Sequence, residues 1–430
     1  MNILSVFKNN KLLKNLSWIL LGNIAHAILS FLLSVMAARY FSTSDYGVLS
    51  YALSLTTLFS SFCSLGLNVI ITKEIADDEA DSGNILSSGI LLRLFAGMIA
   101  LIFMFAFLFF KKSDPVSFKI ISIYALGILF AAFDLFMYWF RYDYKSNVAA
   151  ILKLVAFAIS AIIKGVAIAK SNVIIFAIGA VTETLMYGFL LSTIYIKQKG
   201  NHLHPTFKRA RKLFRMATPF IFSSILVAIY SQTDKLMLEA MSGYESVAQY
   251  SVSLTIANVI GVALSSLVEA FRPEILKMRE TNRSRYNKLY KELYGLTFWV
   301  SILYGITITL FNKQVLTLLY GEKYLLAKNA LSLIVWYSSF SYFGAIHNIY
   351  MVAENRAKWV QVLTLSGVVS NVILNYLMIP QMGAAGAALA SLLTQVIANF
   401  ILPLCIPQLR KMAMLTIQGV FSVPIIARSR

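Results

Sequence analysis

Twelve predominantly apolar stretches of twenty or more residues, separated by shorter polar ones, dominate the chain; they run approximately over 16–38, 47–72, 86–110, 118–140, 148–169, 172–196, 216–238, 247–270, 290–311, 328–351, 359–379 and 384–407. At 1.5 Å per helical residue, about 20 residues cross a hydrocarbon layer ~30 Å thick. Each stretch therefore predicts a membrane-spanning helix. Transmembrane strands need only ~9–11 residues of alternating polarity, a pattern these runs lack. The first run exceeds the ~7–15-residue apolar centre of a secretory signal, and no small-x-small cleavage site follows it, so an uncleaved first span is expected.

Composition agrees with the pattern. Of 430 residues, 58% are hydrophobic and 13% charged, with a mean hydropathy of +0.72. Such a chain has too little polar surface for water. The 38 Lys and Arg against 19 Asp and Glu give a net charge of +19. No polar stretch is long enough to form a soluble module that would present this charge to nucleic acid, which excludes that partner. The basic residues instead orient the chain. With a cytoplasmic N-terminus, twenty-seven fall in inside segments and nine in outside loops, a bias that predicts both termini inside. Cys63 and Cys405 both lie in apolar runs, which leaves no disulfide framework and no CxxC pair.

The polar segment 197–215, with Gly200, Pro205 and the basic run Lys208–Lys212, divides the spans six and six. The expected organisation is an N-terminal lobe over 1–196, a basic cytoplasmic linker over 197–215, a C-terminal lobe over 216–407 and a cytoplasmic tail over 408–430. Tyr51-Ala-Leu-Ser-Leu55 after the first span is echoed by Tyr250-Ser-Val-Ser-Leu254 after the seventh. Six is even, so each half starts and ends on one side and the repeat is parallel. Two like-oriented bundles are expected to enclose a central wet cleft.

Catalytic chemistry is missing. No glycine is followed by lysine, so there is no phosphate-binding loop of the Walker type, and there is no HExxH. His202 and His204 form the one close histidine pair, in the polar segment. No cofactor or metal site and no acyl-transfer or paired-carboxylate constellation is predicted. The chain reads as a transporter and not an enzyme.

Ionisable residues inside spans cost at least ~2.5–3.5 kcal/mol each near the bilayer centre, so each is a candidate site. Glu183, midway along span six, reads either as a cation-coupling carboxylate or as the structural partner of a lysine on span five. Lys153 and Lys164 lie three turns apart on one face of span five, ~16 Å along the axis. They form either a basic stripe for an anionic substrate or a pair that snorkels to opposite headgroup layers. Arg93 in span three has the same two readings. Asp234-Lys235 in span seven is an ion-coupling candidate or an interface anchor. Asp134 and Arg141 are expected to pair on span four. His26 with Asn23 on span one, and Asn371 with Asn375 on span eleven, suit interhelical hydrogen bonds, and the small-residue run Gly383–Ser391 suits close helix packing.

Several segments together resemble the polysaccharide repeat-unit flippases, the O-antigen translocases (Wzx-type) of the multidrug/oligosaccharidyl-lipid/polysaccharide (MOP) exporter superfamily. They are Ala38-Arg39-Tyr40-Phe41 with Asp45-Tyr46-Gly47; Pro219 with Thr233-Asp234-Lys235-Leu236; Tyr320-Gly321-Glu322-Lys323-Tyr324; and Asn371-x-x-x-Asn375 leading to Ile379-Pro380-x-x-Gly383-Ala-Ala-Gly-Ala-Ala. The resemblance covers nearly the whole chain. It implies an all-α integral membrane protein of twelve helices in two six-helix, MATE-like lobes. It also implies a carrier that turns an undecaprenyl-pyrophosphate-linked oligosaccharide, for O-antigen or capsule, from the cytoplasmic to the periplasmic leaflet of a bacterial inner membrane. Alternating access driven by a coupling cation, a proton or sodium, would power it. A polymerase and a chain-length regulator are the implied partners beside membrane lipid. The cationic cavity that the resemblance implies falls on Lys153, Lys164 and Arg93. A drug/cation antiporter of the same fold and a lipid II-type flippase are the competing readings.

Overall fold

The computed structural model describes residues 11–112, 114–143, 145–198 and 200–421, and among these the regular structure is helical with no strand. Lys8 and the last nine residues of the tail lie outside the described residues, as does the side chain of Asn23. The chain divides into two compact units, Met1–Ala228 and Ile229–Arg430.

The first unit contains α1 (Lys11–Tyr40), α2 (Thr43–Ser64), α3 (Leu67–Asp77), α4 (Ser82–Lys111) and α5 (Pro115–Phe130). A 3-10 turn, Ala131–Leu135, joins α5 to α6 (Phe136–Tyr142); α7 (Ser146–Ala169), α8 (Val173–Lys197) and the first part of α9 (Phe207–Ala257) follow. The second unit takes the rest of α9, then α10 (Gly261–Thr281), α11 (Arg283–Leu310), α12 (Asn312–Tyr320), α13 (Lys328–Ile334) and α14 (Tyr337–Ala353). It ends with α15 (Lys358–Met382), α16 (Ala384–Val396), a π turn over Ile397–Ile401, α17 (Leu402–Cys405) and α18 (Arg410–Phe421).

All twelve predicted stretches fall on helix. Among the described residues, eight helices are individually long and apolar enough to cross a membrane, and the bent α9 can count as a ninth. The shortfall has a physical cause: several stretches are interrupted within the apolar run. Stretch 247–270 breaks at residues 258–260 and 328–351 at Val335 and Trp336, whereas 47–72 breaks at Leu65 and Gly66 and still keeps a spanning helix in Thr43–Ser64. Helix α9 bends between Phe222 and Ser224 and is non-helical at Gly243.

Helix starts follow local chemistry. Ser42 accepts from the Asp45 amide, Asn172 from Ile174 and Ile175, and Asn282 from Arg285. Asp114 caps α5 with Pro115 in the first turn, where a missing amide hydrogen costs nothing. Outward faces are apolar in a way water would not tolerate: Phe109 and Phe110 are 77% and 81% exposed. The small-residue run does pack closely, because a Cβ on Gly386 would sit 2.3 Å from the Met378 carbonyl oxygen of α15. The described part of the tail is α18, whose Met412 and Leu415 enter a core with Tyr286, Tyr290 and Tyr294 of α11.

Part of the polar segment 197–215 is tied down within the first unit. The Asn201 amide nitrogen donates to the Glu79 carbonyl (2.8 Å), the Ala80 carbonyl (3.1 Å) and Ser82 Oγ (2.9 Å). Thr206 exchanges bonds with Ser88 and Asn84. Arg209 reaches Glu74 (3.0 Å), Asp78 (3.3 Å) and Asp81, while Lys212 Nζ lies 2.6 Å from Glu74. The acidic turn between α3 and α4, which has no counterpart in the sequence resemblance, is therefore the counter-charge for the start of α9. Burial alone would raise the Asp81 carboxyl, but the Arg209 hydrogen bond, with help from Asn84, pulls it below the ordinary carboxylate range.

Replacing Arg209 with Ala should destabilise the first unit by ~2–3 kcal/mol, between the values for exposed and buried ion pairs. Because the folded Asp81 carboxyl titrates below its unfolded value, its share is complete above the unfolded value and disappears as pH falls through the folded one. Thermal unfolding in detergent should thus separate the two proteins at pH 7 and bring them closer only as the pH falls below the ordinary carboxylate range.

Candidate functional site

The first unit contains a cavity of about 740 Å³ walled by α1, α2, α5, α7 and α8. Its lining is rich in hydroxyls. Thr56, Thr57, Ser60, Ser61 and Ser64 follow one another at helical spacing on α2, and Ser30 and Ser34 face them from α1. Three ionisable groups meet in this wall. Glu183 Oε1 is 2.8 Å from His26 Nε2, and its Oε2 accepts from Lys164 Nζ at 3.3 Å. Three helices, α1, α7 and α8, are joined by this one carboxylate. The Lys164 side chain is 12% exposed, so its charge belongs to the cavity and not to a headgroup layer. Both readings of Glu183 thus meet in one geometry: it has a lysine partner, and the pair faces a polar space.

Lys153 is half-buried on α7 and does not line this cavity. Arg93 does not line it either. It is buried behind the wall, donating to Asp134 Oδ1 (2.5 Å), to Asn68 Oδ1 and to the Ala131 carbonyl (3.2 Å). Asn68 and Ala131 line the cavity, so Arg93 acts on it through them. Asp134 pairs with Arg93 and not, as its spacing suggested, with Arg141, which instead stacks over Tyr138.

The second unit has its own site. Asp234 is 8% exposed and its carboxylate takes four hydrogen bonds. Oδ1 accepts from Asn371 (2.9 Å) and Asn375 (2.7 Å), and Oδ2 accepts from Tyr250 Oη and Ser391 Oγ, both at 2.5 Å. The carboxylate's capacity of about four lone-pair sites is filled by neutral donors. Asn371 and Asn375 therefore do make interhelical bonds, and their shared acceptor is Asp234. The Asn375 carbonyl oxygen is buried with no partner among the described residues. A cavity of about 310 Å³ adjoins, lined by Asp234, Lys235, Tyr230, Asn258, Asn371 and Ser391 among others.

The hydroxyl face of α2, the role of Tyr250 and Ser391, and the place of His26 on a cavity wall are not among the sequence-derived candidates. The first carried a readable signal: hydroxyls at i, i+1, i+4, i+5 and i+8 in an apolar span mark a polar face. Nothing in the spacing of Tyr250 or Ser391, 16 and 157 positions from Asp234, pairs them with it; only the fold brings them together.

Two helical units with apolar outsides and polar, charge-bearing cavities define a multi-pass membrane transporter. The family described as Polysaccharide biosynthesis protein matches residues 12–279, and the MatE family matches 219–377. The chain belongs to the polysaccharide biosynthesis protein family, polysaccharide flippases of the MOP superfamily. It is 21% identical to the capsular polysaccharide biosynthesis protein CapF of Staphylococcus aureus over 402 residues, 90% of this chain and 97% of that one. It is 23% identical to the lipid II flippase MurJ of Bacillus subtilis over 450 residues, 90% of this chain and 80% of that one. Among solved structures, an inward-facing MATE family transporter superposes with a TM-score of 0.72 at 14% identity, covering 91% of this chain and 96% of its own. Lipid II flippase MurJ in an inward closed conformation gives 0.72 at 15% identity, covering 93% and 91%. The fold is that of the MATE and MurJ transporters, and the protein is a multi-pass bacterial membrane transporter.

Truncating Asp234 to Ala removes the shared acceptor of four buried donors, of which Asn375 keeps Asn371 Oδ1 and Tyr250 and Ser391 keep each other, and should cost ~2–3 kcal/mol. Asn keeps one acceptor and can donate to the hydroxyls, so Asp234→Asn should cost ~1 kcal/mol. Detergent-solubilised thermal unfolding would reveal an equal, small loss in both variants if the four bonds contribute little.

Proposed function

We propose that the protein carries the head of an undecaprenyl-pyrophosphate-linked oligosaccharide repeat unit from the cytoplasmic to the periplasmic leaflet of the bacterial inner membrane, with both termini cytoplasmic, for later polymerisation. The observation that carries this reading is the hydroxyl-lined cavity holding Lys164, His26 and Glu183 inside an otherwise apolar unit. Sugar hydroxyls and a pyrophosphate would strand unpaired polar groups in hydrocarbon. Serine and threonine hydroxyls accept and donate as sugars do, and Lys164 supplies a charge for the anion. Arg93 contributes by holding Asn68 in the wall.

Transport is coupled to a cation by alternating access. When an incoming anion draws Lys164 away, Glu183 loses one of its two partners, and a half-paired carboxylate in an apolar wall gains by taking a proton. Asp234 is the second coupling carboxylate. Its oxygens and the unpartnered Asn375 carbonyl beside them would take a proton or a hard cation such as sodium once some of the four donors, Tyr250 and Ser391 among them, turn away. A second reading, a lipid II-type flippase, is favoured by the MurJ relative and shares every step except the glycan.

In vesicles loaded with fluorescent lipid-linked oligosaccharide, Lys164→Ala should slow flipping by roughly tenfold, the loss of one charge-assisted contact of ~1.5–3 kcal/mol. Undiminished flipping would remove Lys164 from the substrate path. Glu183→Gln should make the rate insensitive to an imposed proton or sodium gradient. Comparison of a capsular repeat with lipid II as cargo separates the two readings.

A further inference from the structure

Glu183 holds one partner on each oxygen, and the two partners are chemically unequal. Lys164 reaches Oε2 from α7 at 3.3 Å, and His26 reaches Oε1 from α1 at 2.8 Å. The lysine side is built on close contact between α7 and α8: Ser160 Oγ donates to the Gly179 carbonyl at 2.7 Å, and a Cβ on Gly179 would lie 2.9 Å from Lys164 Cγ. The lysine stem therefore runs over bare Gly179 backbone, and its head meets the carboxylate one turn further along α8. The ammonium lies 5.9 Å from the ring centres of Phe157 and Phe176.

The imidazole is set differently. An ionised carboxylate only accepts, so Nε2 carries the hydrogen of the 2.8 Å bond and Nδ1 keeps its lone pair. Nδ1 lies 3.5 Å from Ser30 Oγ, one turn on along α1, and both residues line the cavity. Phe157 packs edge-on to the ring, with centroids 4.9 Å apart. The ring thus spans from the carboxylate to a cavity-lining hydroxyl, with its one lone pair beside that hydroxyl. Besides Glu183 and His26, the titratable groups in this wall are Lys164 on α7, Tyr46 on α2 and Tyr124 on α5. Of these residue types only histidine ordinarily changes charge between pH 5 and 8.

We propose that His26 takes up a proton when an anionic head binds Lys164, replacing the lysine as the cationic partner of Glu183. The inference rests on the reading that the cargo is anionic and meets Lys164. Once the ammonium turns to the anion, Oε2 is left without a cation. A proton from cavity water then adds to the Nδ1 lone pair, the Nε2–H bond to Oε1 stays in place, and the carboxylate faces an imidazolium. The proton that the half-paired carboxylate calls for is thus carried by its neighbour. Because the head-bound state holds one more proton than the free state, head binding tightens as pH falls.

The test is calorimetric titration of the full-length protein in detergent with farnesyl-pyrophosphoryl-glucose, a pyrophosphate diester with no group that titrates in the histidine range. In buffers of different ionisation enthalpy, binding should take up about one proton per probe, and Kd should rise roughly tenfold between about pH 7 and 8. His26→Gln keeps an N–H donor for Glu183 but takes no proton, so the uptake and the pH slope should both vanish. Histidine 15N spectra of the wild-type protein give a readout that needs no variant to fold: on addition of probe, His26 should pass from one protonated nitrogen to two. Probe binding without proton uptake, or the same uptake in His26→Gln, overturns the role of His26 and leaves the carrier reading standing. Failure of the wild-type protein to bind the probe overturns the anionic cargo itself.

Discussion

A polar group in hydrocarbon has no water to fall back on, and the arrangement of this protein follows from that constraint. The ionisable residues inside its apolar spans are not scattered. Glu183 is met by His26 and Lys164, Arg93 by Asp134, Asn68 and a carbonyl, and Asp234 by four neutral donors. Each cluster joins sequence neighbours to at least one more distant segment: His26 lies 157 residues from Glu183, Asp134 41 from Arg93 and Ser391 157 from Asp234. The helices hold the charges in register, and the charges in turn select the helix partners, because a slipped register would bury a carboxylate without its donors.

The two units solve this problem with opposite electrostatics. In the first, a single carboxylate is balanced by one or two cationic side chains and faces hydroxyls. In the second, the carboxyl group's partners are neutral amides and hydroxyls, and Lys235, the next residue, lines the cavity. Two tyrosines display the difference. Tyr51 receives a bond from Lys111 Nζ at 3.0 Å, whereas Tyr250 donates to Asp234.

The helical class, the span positions and the charged candidates were legible in the sequence because hydrophobic length and buried charge are local properties. Partnership was not. Asn371 and Asn375 announce a polar face at i, i+4, but that their acceptor is Asp234, 137 and 141 residues away, depends on which helices pack together. Arg93 and Lys164 look alike in sequence, each a lone cation in an apolar run. One is locked behind the cavity wall and the other lies in it, a difference fixed by helix rotation alone. The acidic turn Glu74–Asp81 reads as an exception to charge bias until Arg209, 135 residues on, is seen beside it. Helix breaks were hidden for another reason: neither Val335-Trp336 nor Leu65 has a helix-breaking side chain, so tertiary packing overrides propensity there.

Those breaks adjoin the polar spaces, and the same constraint accounts for it. Where a helix opens, a carbonyl or amide loses its partner, which hydrocarbon forbids unless a side chain or a wet cavity replaces it. At the 3-10 turn Ala131–Leu135, Arg93 takes the Ala131 carbonyl and Ala131 lines the first cavity. At residues 258–260, Tyr304 Oη donates to the Ile256 carbonyl at 2.6 Å and Asn258 lines the second. At Leu65 and Gly66 the flanking Ser64 and Asn68 line the first cavity. Irregular backbone therefore gathers around the sites, and irregular backbone is also where a helix bends at least cost. A transporter must change shape around its cargo. In this chain three such points, Ala131–Leu135, residues 258–260 and Leu65–Gly66, adjoin the polar cavities, so a change in either cavity acts on backbone that can bend.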